Sequence, residues 1–122
     1  MITGISAVTL ATADMRRAVE FYRLVGFELL YGGEAAAFTS FRAGGTYLNL
    51  ISQAAAGSRT WWGRVIIYES QVDALYARLV AAGWRPLTAP RDAAWGERFF
   101  HIADPDGHEL SFAWPLSQTT VR

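Results

Sequence analysis

The sequence predicts an α+β fold built from two tandem βαβββ modules, and three observations predict it. Two segments of helical spacing, each preceded by a short apolar run, end on glycine, at Gly26 and Gly83. Each is followed by further short apolar runs separated by turn residues. One ungapped shift places Val8 on Val65, Leu10 on Ile67, Met15 on Val72, Ala18 on Leu75, Gly26 on Gly83 and Phe27 on Trp84, so the order of elements repeats.

Module one covers about residues 4–52. Ile5 to Leu10 is apolar and β-branched and reads as a strand. Thr12 or Asp14 can cap a helix whose apolar stripe is Met15, Ala18, Val19, Tyr22 and Val25, with Gly26 closing it. Strands are expected at Phe27 to Tyr31, Ala36 to Arg42 and Thr46 to Ile51, the last two joined by the Gly44-Gly45 turn. Residues 53–60 are small and polar and read as a linker. Module two covers about residues 61–116. Val65 to Tyr68 begins it as a strand, and Ser70 with Asp73 suggests a capping box for a helix with the stripe Val72, Leu75, Leu79 and Ala82. Trp84 to Thr88 reads as a strand weakened by Pro86 and Pro90. Arg98 to Ala103 and His108 to Trp114 form the closing hairpin around Asp104-Pro105-Asp106-Gly107, where Gly107 suits the left-handed position of a three-residue loop. The two modules together make one domain spanning residues 1–122.

The bulk properties narrow the function. A chain of 122 residues and 13.5 kDa can bury one sizeable core. Lys and Arg number 11 against 11 Asp and Glu, so no surplus charge points to nucleic acid or to an anionic membrane as partner. With no cysteine there is no disulfide, thiolate site or thiol nucleophile. The opening MITGISAVTLATADM lacks a basic leader region, and no apolar run approaches the roughly 18 residues of a membrane span, so a cytoplasmic protein is expected.

The stretch ISAVTLATADMRRAVEFYRLVGFELL resembles the opening of vicinal-oxygen-chelate proteins, and WGERFFHIADPDGHELSFAWP, with its DPDG turn, resembles their closing hairpin. That superfamily includes the glyoxalase, bleomycin-resistance and extradiol dioxygenase proteins. The resemblance implies curved mixed sheets around a ligand cavity, with the helices outside. It also implies metal-dependent lyases, isomerases, transferases and dioxygenases, beside metal-free proteins that sequester antibiotics. Carried over residue by residue, the positions that present metal ligands in the family's enzymes fall on Ala7, Asn49, Arg64 and Ser111. A divalent ion in such a cage needs about three imidazole or carboxylate donors, and these residues supply none. No metal or other cofactor is therefore expected, although a last strand displaced by two residues would offer Glu109 as a ligand.

Strand alternation then names the cavity lining. Thr9 shares a face with Ala7, while Val8 and Leu10 turn toward the helix. Pairing about Gly44-Gly45 sets Arg42 against Tyr47, Ser40 against Asn49 and Phe38 against Ile51. Pairing about the DPDG turn sets Ala103 against Glu109 and His101 against Ser111, with Arg64 expected beside Ser111. Module one thus offers Phe38, Arg42, Tyr47 and Asn49 as ligand contacts. Module two offers Arg64, His101, Glu109 and Ser111, with Trp62 and Tyr68 as aromatic walls, although Trp62, Tyr68 and Tyr47 suit the core equally well. Plainer readings stand beside these: Arg64 and Glu109 can form a cross-strand ion pair, His101 can be structural, and His108 can be a solvated strand end. Aromatic residues are 14% of the chain, with five tryptophans. Of these, Trp61 and Trp95 suit a cavity rim, whereas Phe21, Phe41, Phe112 and Trp114 suit the core.

Three functions compete on this reading. The first is a metal-independent protein that binds or sequesters an aromatic or amphipathic small molecule. The second is a lyase or isomerase with His101 or Glu109 as acid and base, or a metalloenzyme with shifted ligands. The third is a module whose cavity is vestigial. Binding leads, because no nucleophile, base and orienting partner assemble from the sequence. Family members with one pair of modules associate, so a homodimer is expected.

Overall fold

The parallel pairing of a first strand with a last strand, bridged by a helix, is the frame of each half of the chain. The computed structural model describes residues 1–54 and 60–118. The chain divides into two compact units, Met1–Arg59 and Thr60–Arg122, and the expected linker falls largely outside the described residues.

In the first unit the order is β1 (Ala7–Thr12), α1 (Met15–Val25), β2 (Glu28–Tyr31), β3 (Phe38–Ala43) and β4 (Thr46–Ser52). The sheet runs β1-β4-β3-β2, with β1 parallel to β4 and the other pairs antiparallel. Helix α1 starts as its sequence dictates: the Asp14 carboxylate accepts the Arg17 N–H at 3.1 Å, and Thr12 Oγ1 accepts the Asp14 N–H. It ends where Gly26 donates its N–H to the Tyr22 and Arg23 carbonyls. The expected stripe, Met15, Ala18, Val19, Tyr22 and Val25, is buried together with Phe21, Leu10, Phe41, Leu48 and Leu50. The Tyr22 and Phe41 rings lie 5.8 Å apart, which fixes the helix on this face of the sheet. Each buried Phe or Leu contributes roughly 1.5–3 kcal/mol. Strand β1 begins later than the sequence suggests, because its ladder with β4 opens at Ala7 opposite Tyr47 and leaves Ile5 exposed.

In the second unit the order is β5 (Arg64–Tyr68), α2 (Val72–Ala81), β6 (Arg91–Asp92), β7 (Glu97–Ala103) and β8 (Glu109–Pro115), closed by a 3₁₀ turn at Leu116–Gln118. Its sheet repeats the arrangement, β5-β8-β7-β6, with β5 parallel to β8. Val72, Leu75 and Leu79 are buried, and the Tyr76 ring meets Phe100 edge-on at 5.4 Å. Ala82 caps the helix from an exposed position instead of extending the stripe. The capping box does not form. Gln71 is the N-cap, its N–H donates to the Glu69 carboxylate, and Asp73 instead accepts two hydrogen bonds from Arg98, a stronger charge-assisted partner. Trp84 to Thr88 is not a strand, since Pro86 has no N–H to offer. The Leu87 and Thr88 N–H groups share the His101 carbonyl, and Thr88 Oγ1 accepts the His101 N–H. The edge strand is the two-residue β6 further on. Trp114 is half-buried rather than core.

The DPDG turn forms as expected, with Gly107 at φ 88° and the Asp104 carboxylate accepting the N–H groups of Asp106 and His108. No helix of the described chain is long and apolar enough to cross a membrane.

Gly32 is the tightest backbone position. It has φ 84° beside the bulge that ends β2, and a Cβ there would stand 2.2 Å from the Phe38 carbonyl oxygen. Gly32→Ala combines strain with overpacking and should cost about 3 kcal/mol, lowering the melting temperature by about 10 °C. Gly45→Ala, which meets nothing within 4 Å, is the control and should barely move it. Equal melting temperatures for the two variants would contradict the steric role of Gly32.

Candidate functional site

Alternation along β5, β7 and β8 divides the second sheet into two faces. Val65, Ile67, Phe100, Ile102, Leu110 and Phe112 serve the helix side, and the opposite face carries Arg64, Ile66 and Tyr68, then Glu109 and Ser111, then Glu97, Phe99 and His101. The hairpin register is the one expected, with His101 opposite Ser111 and Ala103 opposite Glu109. Arg64 differs from expectation. It lies directly opposite Glu109, and Ile66 is the residue beside Ser111.

Arg64 Nε donates to Glu109 Oε2 at 2.5 Å, and its guanidinium carbon stands 5.7 Å from the centre of the Trp61 ring. The arginine side chain remains 39% exposed against 17% for the carboxylate. Its terminal nitrogens make no hydrogen bond among the described residues, so one edge of the fork stays open. Burial pushes the Glu109 carboxyl up, but the hydrogen bond and charge of Arg64, with the Trp61 indole, outweigh it and hold the group below its ordinary value. His101 is half-buried against Phe99, ring centres 5.0 Å apart, and its enclosed Nδ1 has no hydrogen-bond partner among the described residues. Burial lowers its pKa first, and the Arg64 and Arg91 charges lower it further against the opposing pull of Glu109. At neutral pH this face therefore presents a neutral imidazole beside an ionised pair.

One residue outside the expected lining, Glu97, completes the face together with the rim residue Trp95. Glu97 Oε2 accepts from the Tyr68 hydroxyl at 2.5 Å, and Glu97 Oε1 accepts from Trp95 Nε1 at 2.9 Å. The hydrogen bond to Glu97, with burial and the carboxylate's charge, raises the Tyr68 pKa. Glu97 is in phase with Phe99 and His101, and extending β7 by one residue would have found it. His108 is not a solvated strand end. It is only 3% exposed, and its Nδ1 accepts from Trp62 Nε1 at 2.9 Å, so Trp62 is committed to the DPDG turn.

The first unit carries a separate set. The expected register holds, Arg42 opposite Tyr47, Ser40 opposite Asn49 and Phe38 opposite Ile51. Asn49 Nδ2 donates to Thr9 Oγ1 at 3.3 Å. Arg42 lies 3.6 Å from the Glu28 carboxylate and 5.9 Å from the Tyr47 ring centre, while Phe38 meets Tyr31 at 6.2 Å.

The donor set does not fit a divalent ion. Ala7 has no donor atom, Asn49 is engaged with Thr9, Arg64 is a cation bound to Glu109, and Ser111 is a buried hydroxyl. Among the described residues no group of three His, Cys, Asp or Glu side chains could hold a metal.

Comparison with known proteins places this geometry. The profile of the Glyoxalase/Bleomycin resistance protein/Dioxygenase superfamily matches residues 4–112. Metallothiol transferase FosB of Shouchella clausii (strain KSM-K16) is 36% identical over 118 residues, covering 90% of this chain and 79% of that protein. The crystal structure of TioX from Micromonospora sp. ML1 is 28% identical and superimposes with a TM-score of 0.74 over 93% of this chain and 100% of its own. A bleomycin-binding protein complexed with bleomycin shares the fold at a TM-score of 0.72 and 18% identity, over 93% of this chain and 98% of that one.

The shifted groups make stability depend on pH. His101 has a folded pKa below its ordinary 6.5, so between the two values the unfolded chain binds more protons and stability rises with pH. The stability due to neutral His101 is thus complete above about pH 6.5 and lost as pH falls through the folded value. Glu109, also lowered, adds a loss below its ordinary 4.5. Urea unfolding of His101→Gln should show a flatter profile than wild type between about pH 7 and 5.5, with the decline at lower pH retained. Parallel profiles for the two proteins would show that His101 is not the source of the upper part of the decline.

Proposed function

The chain belongs to the glyoxalase/bleomycin resistance protein/dioxygenase superfamily, and from that premise we propose a metal-independent small-molecule binding protein. On this reading it holds an aromatic or amphipathic ligand with an anionic oxygen on the open face of the second sheet. The observation that carries the proposal is the half-used fork of Arg64. Glu109 takes the Nε–H and so orients the guanidinium, while the terminal nitrogens remain for a ligand carboxylate, phosphate or enolate. Tyr68, Trp61 and Trp95 are each more than half exposed around the same face and offer stacking surface. The FosB relative is named a metallothiol transferase, and the absence of imidazole and carboxylate donors at Ala7, Asn49, Arg64 and Ser111 favours binding without a metal in this chain. The bleomycin complex illustrates a protein of this fold that holds a small molecule.

Binding is preferred to acid-base catalysis on two observations. A general base needs a partner that orients it, and His101 Nδ1 has none among the described residues. Glu109, held ionised by Arg64, is a poor proton donor at neutral pH. The exposed Trp61, Ile66, Tyr68 and Trp95 support association, and a homodimer is part of the proposal.

With 2-naphthoate as probe, Arg64→Ala should weaken binding by about 1.5–3 kcal/mol while the fold persists, and Arg64→Lys should restore only part of it. Unchanged affinity beside a lowered melting temperature would reduce Arg64 and Glu109 to a structural pair. Elemental analysis of protein purified without chelator should find well under one transition metal per chain; a stoichiometric ion lost in Glu109→Ala would overturn the metal-independent reading. Light scattering at micromolar concentration should give about twice 13.5 kDa, and a mass near 13.5 kDa would rule out the dimer.

A further inference from the structure

The unusual group on the second sheet is Glu97. Glu20, Glu28, Asp73, Asp92 and Glu109 each lie within ion-pair distance of an arginine, whereas no cationic side chain among the described residues reaches Glu97. Its sequence neighbour Arg98 points to the helix side of the strand, where Asp73 and Asp92 hold it. Arg91 is drawn instead to the Phe99 ring, 5.2 Å from its centre. What surrounds Glu97 is aromatic: the phenol of Tyr68 donates to one oxygen and the indole of Trp95 to the other. Both donors are neutral, so the charge is solvated but not cancelled, and two of the carboxylate's roughly four acceptor directions remain open.

The rings that converge on this carboxylate keep exposed surface, although Tyr68 also meets Trp114 edge-to-face at 5.7 Å. Trp95 stacks one face on Phe99 at 5.4 Å and is 69% exposed, and Tyr68 is 59% exposed. An uncancelled carboxylate flanked by exposed tyrosine and tryptophan attracts a cation twice, through its charge and through the negative faces of the rings. We propose that Glu97, Tyr68 and Trp95 form a seat for an organic ammonium group, quaternary or protonated amine. The inference deepens the binding role of the Arg64 face and rests on it in placing that group on the same ligand as the oxygen held by Arg64. Arg64 and Tyr68 are four residues apart along β5, about 13 Å in an extended strand, so the ligand class is an elongated molecule with an anionic oxygen at one end and an ammonium at the other.

The test uses choline and its uncharged isostere 3,3-dimethylbutan-1-ol, titrated into the full chain at low ionic strength and followed by the Trp95 indole N–H resonance. Choline should bind at least ten-fold more tightly than the alcohol. Glu97→Gln keeps acceptor oxygen and size but removes the charge, so it should abolish the preference for choline over the alcohol. Should Glu97→Gln fail to fold, Trp95→Leu carries the test and should reduce the choline preference several-fold, followed then by the remaining tryptophan resonances. No preference in wild type, or one that survives these substitutions, overturns the seat. Naphthoate binding without choline preference would sink this inference alone; choline preference without naphthoate binding would sink the Arg64 reading alone.

Discussion

Everything on the second sheet depends on the parallel register of β5 with β8. A parallel pair cannot be closed by a tight turn, so the chain must cross over, and α2 makes that crossing with Val72, Leu75 and Leu79 turned inward. With one face of the sheet sealed by the helix, every second residue is committed to the opposite face, and the register sets Arg64 squarely against Glu109. A one-residue slip would send Leu110 to the open face and Glu109 into the core, which makes the register expensive to alter. The first unit repeats the constraint with β1 and β4 around α1, where the corresponding partners are Ala7 and Tyr47. The same frame thus pairs two oppositely charged residues in one unit and two uncharged ones in the other.

The electrostatics follow from that placement. One of the positions where the superfamily resemblance puts metal donors is here a guanidinium already gripped by a carboxylate. An ion pair at 39% and 17% exposure gives little stability, because solvent screens it and its desolvation opposes it. Its effect is directional. Arg64 holds Glu109 ionised, adds to burial in keeping His101 neutral, and presents the open edge of its fork to whatever lies over the sheet. Glu97, at the other end of the face, has the opposite character: a bare negative charge held by two neutral donors.

The sequence carried the frame well, and the reasons are visible in particular residues. Asp14 and Gly26 bound α1 because each meets a local requirement of the helix ends, and Gly44-Gly45 and Gly107 set the hairpin registers that pair Arg42 with Tyr47 and His101 with Ser111. Legibility fell where side chains compete with backbone rules. Asp73 prefers Arg98 to a cap, Thr88 completes with its hydroxyl the pairing that Pro86 denies a regular strand, and His108 is sealed by Trp62, a partner far away in sequence. Arg64 was displaced by one pair because periodicity gives the face of a strand, while lateral register depends on the ladder. Glu97 and its link to Trp95 were missed because a boundary error of one residue removed Glu97 from the strand, and with it the carboxylate that Trp95 and Tyr68 share.

The proposed binding role turns on Arg64, oriented by Glu109, as the receiver of an anionic oxygen on the open face of the second sheet. The most direct test is nitrogen-edited NMR of the arginine Nε–H groups during a 2-naphthoate titration, with assignments made from Arg64→Lys. The account predicts that the Arg64 resonance shifts saturably, with the same midpoint as the tryptophan signals of the second unit, while Arg98 stays in place. Saturable binding that leaves Arg64 unmoved, or that moves Arg42 alone, would contradict it.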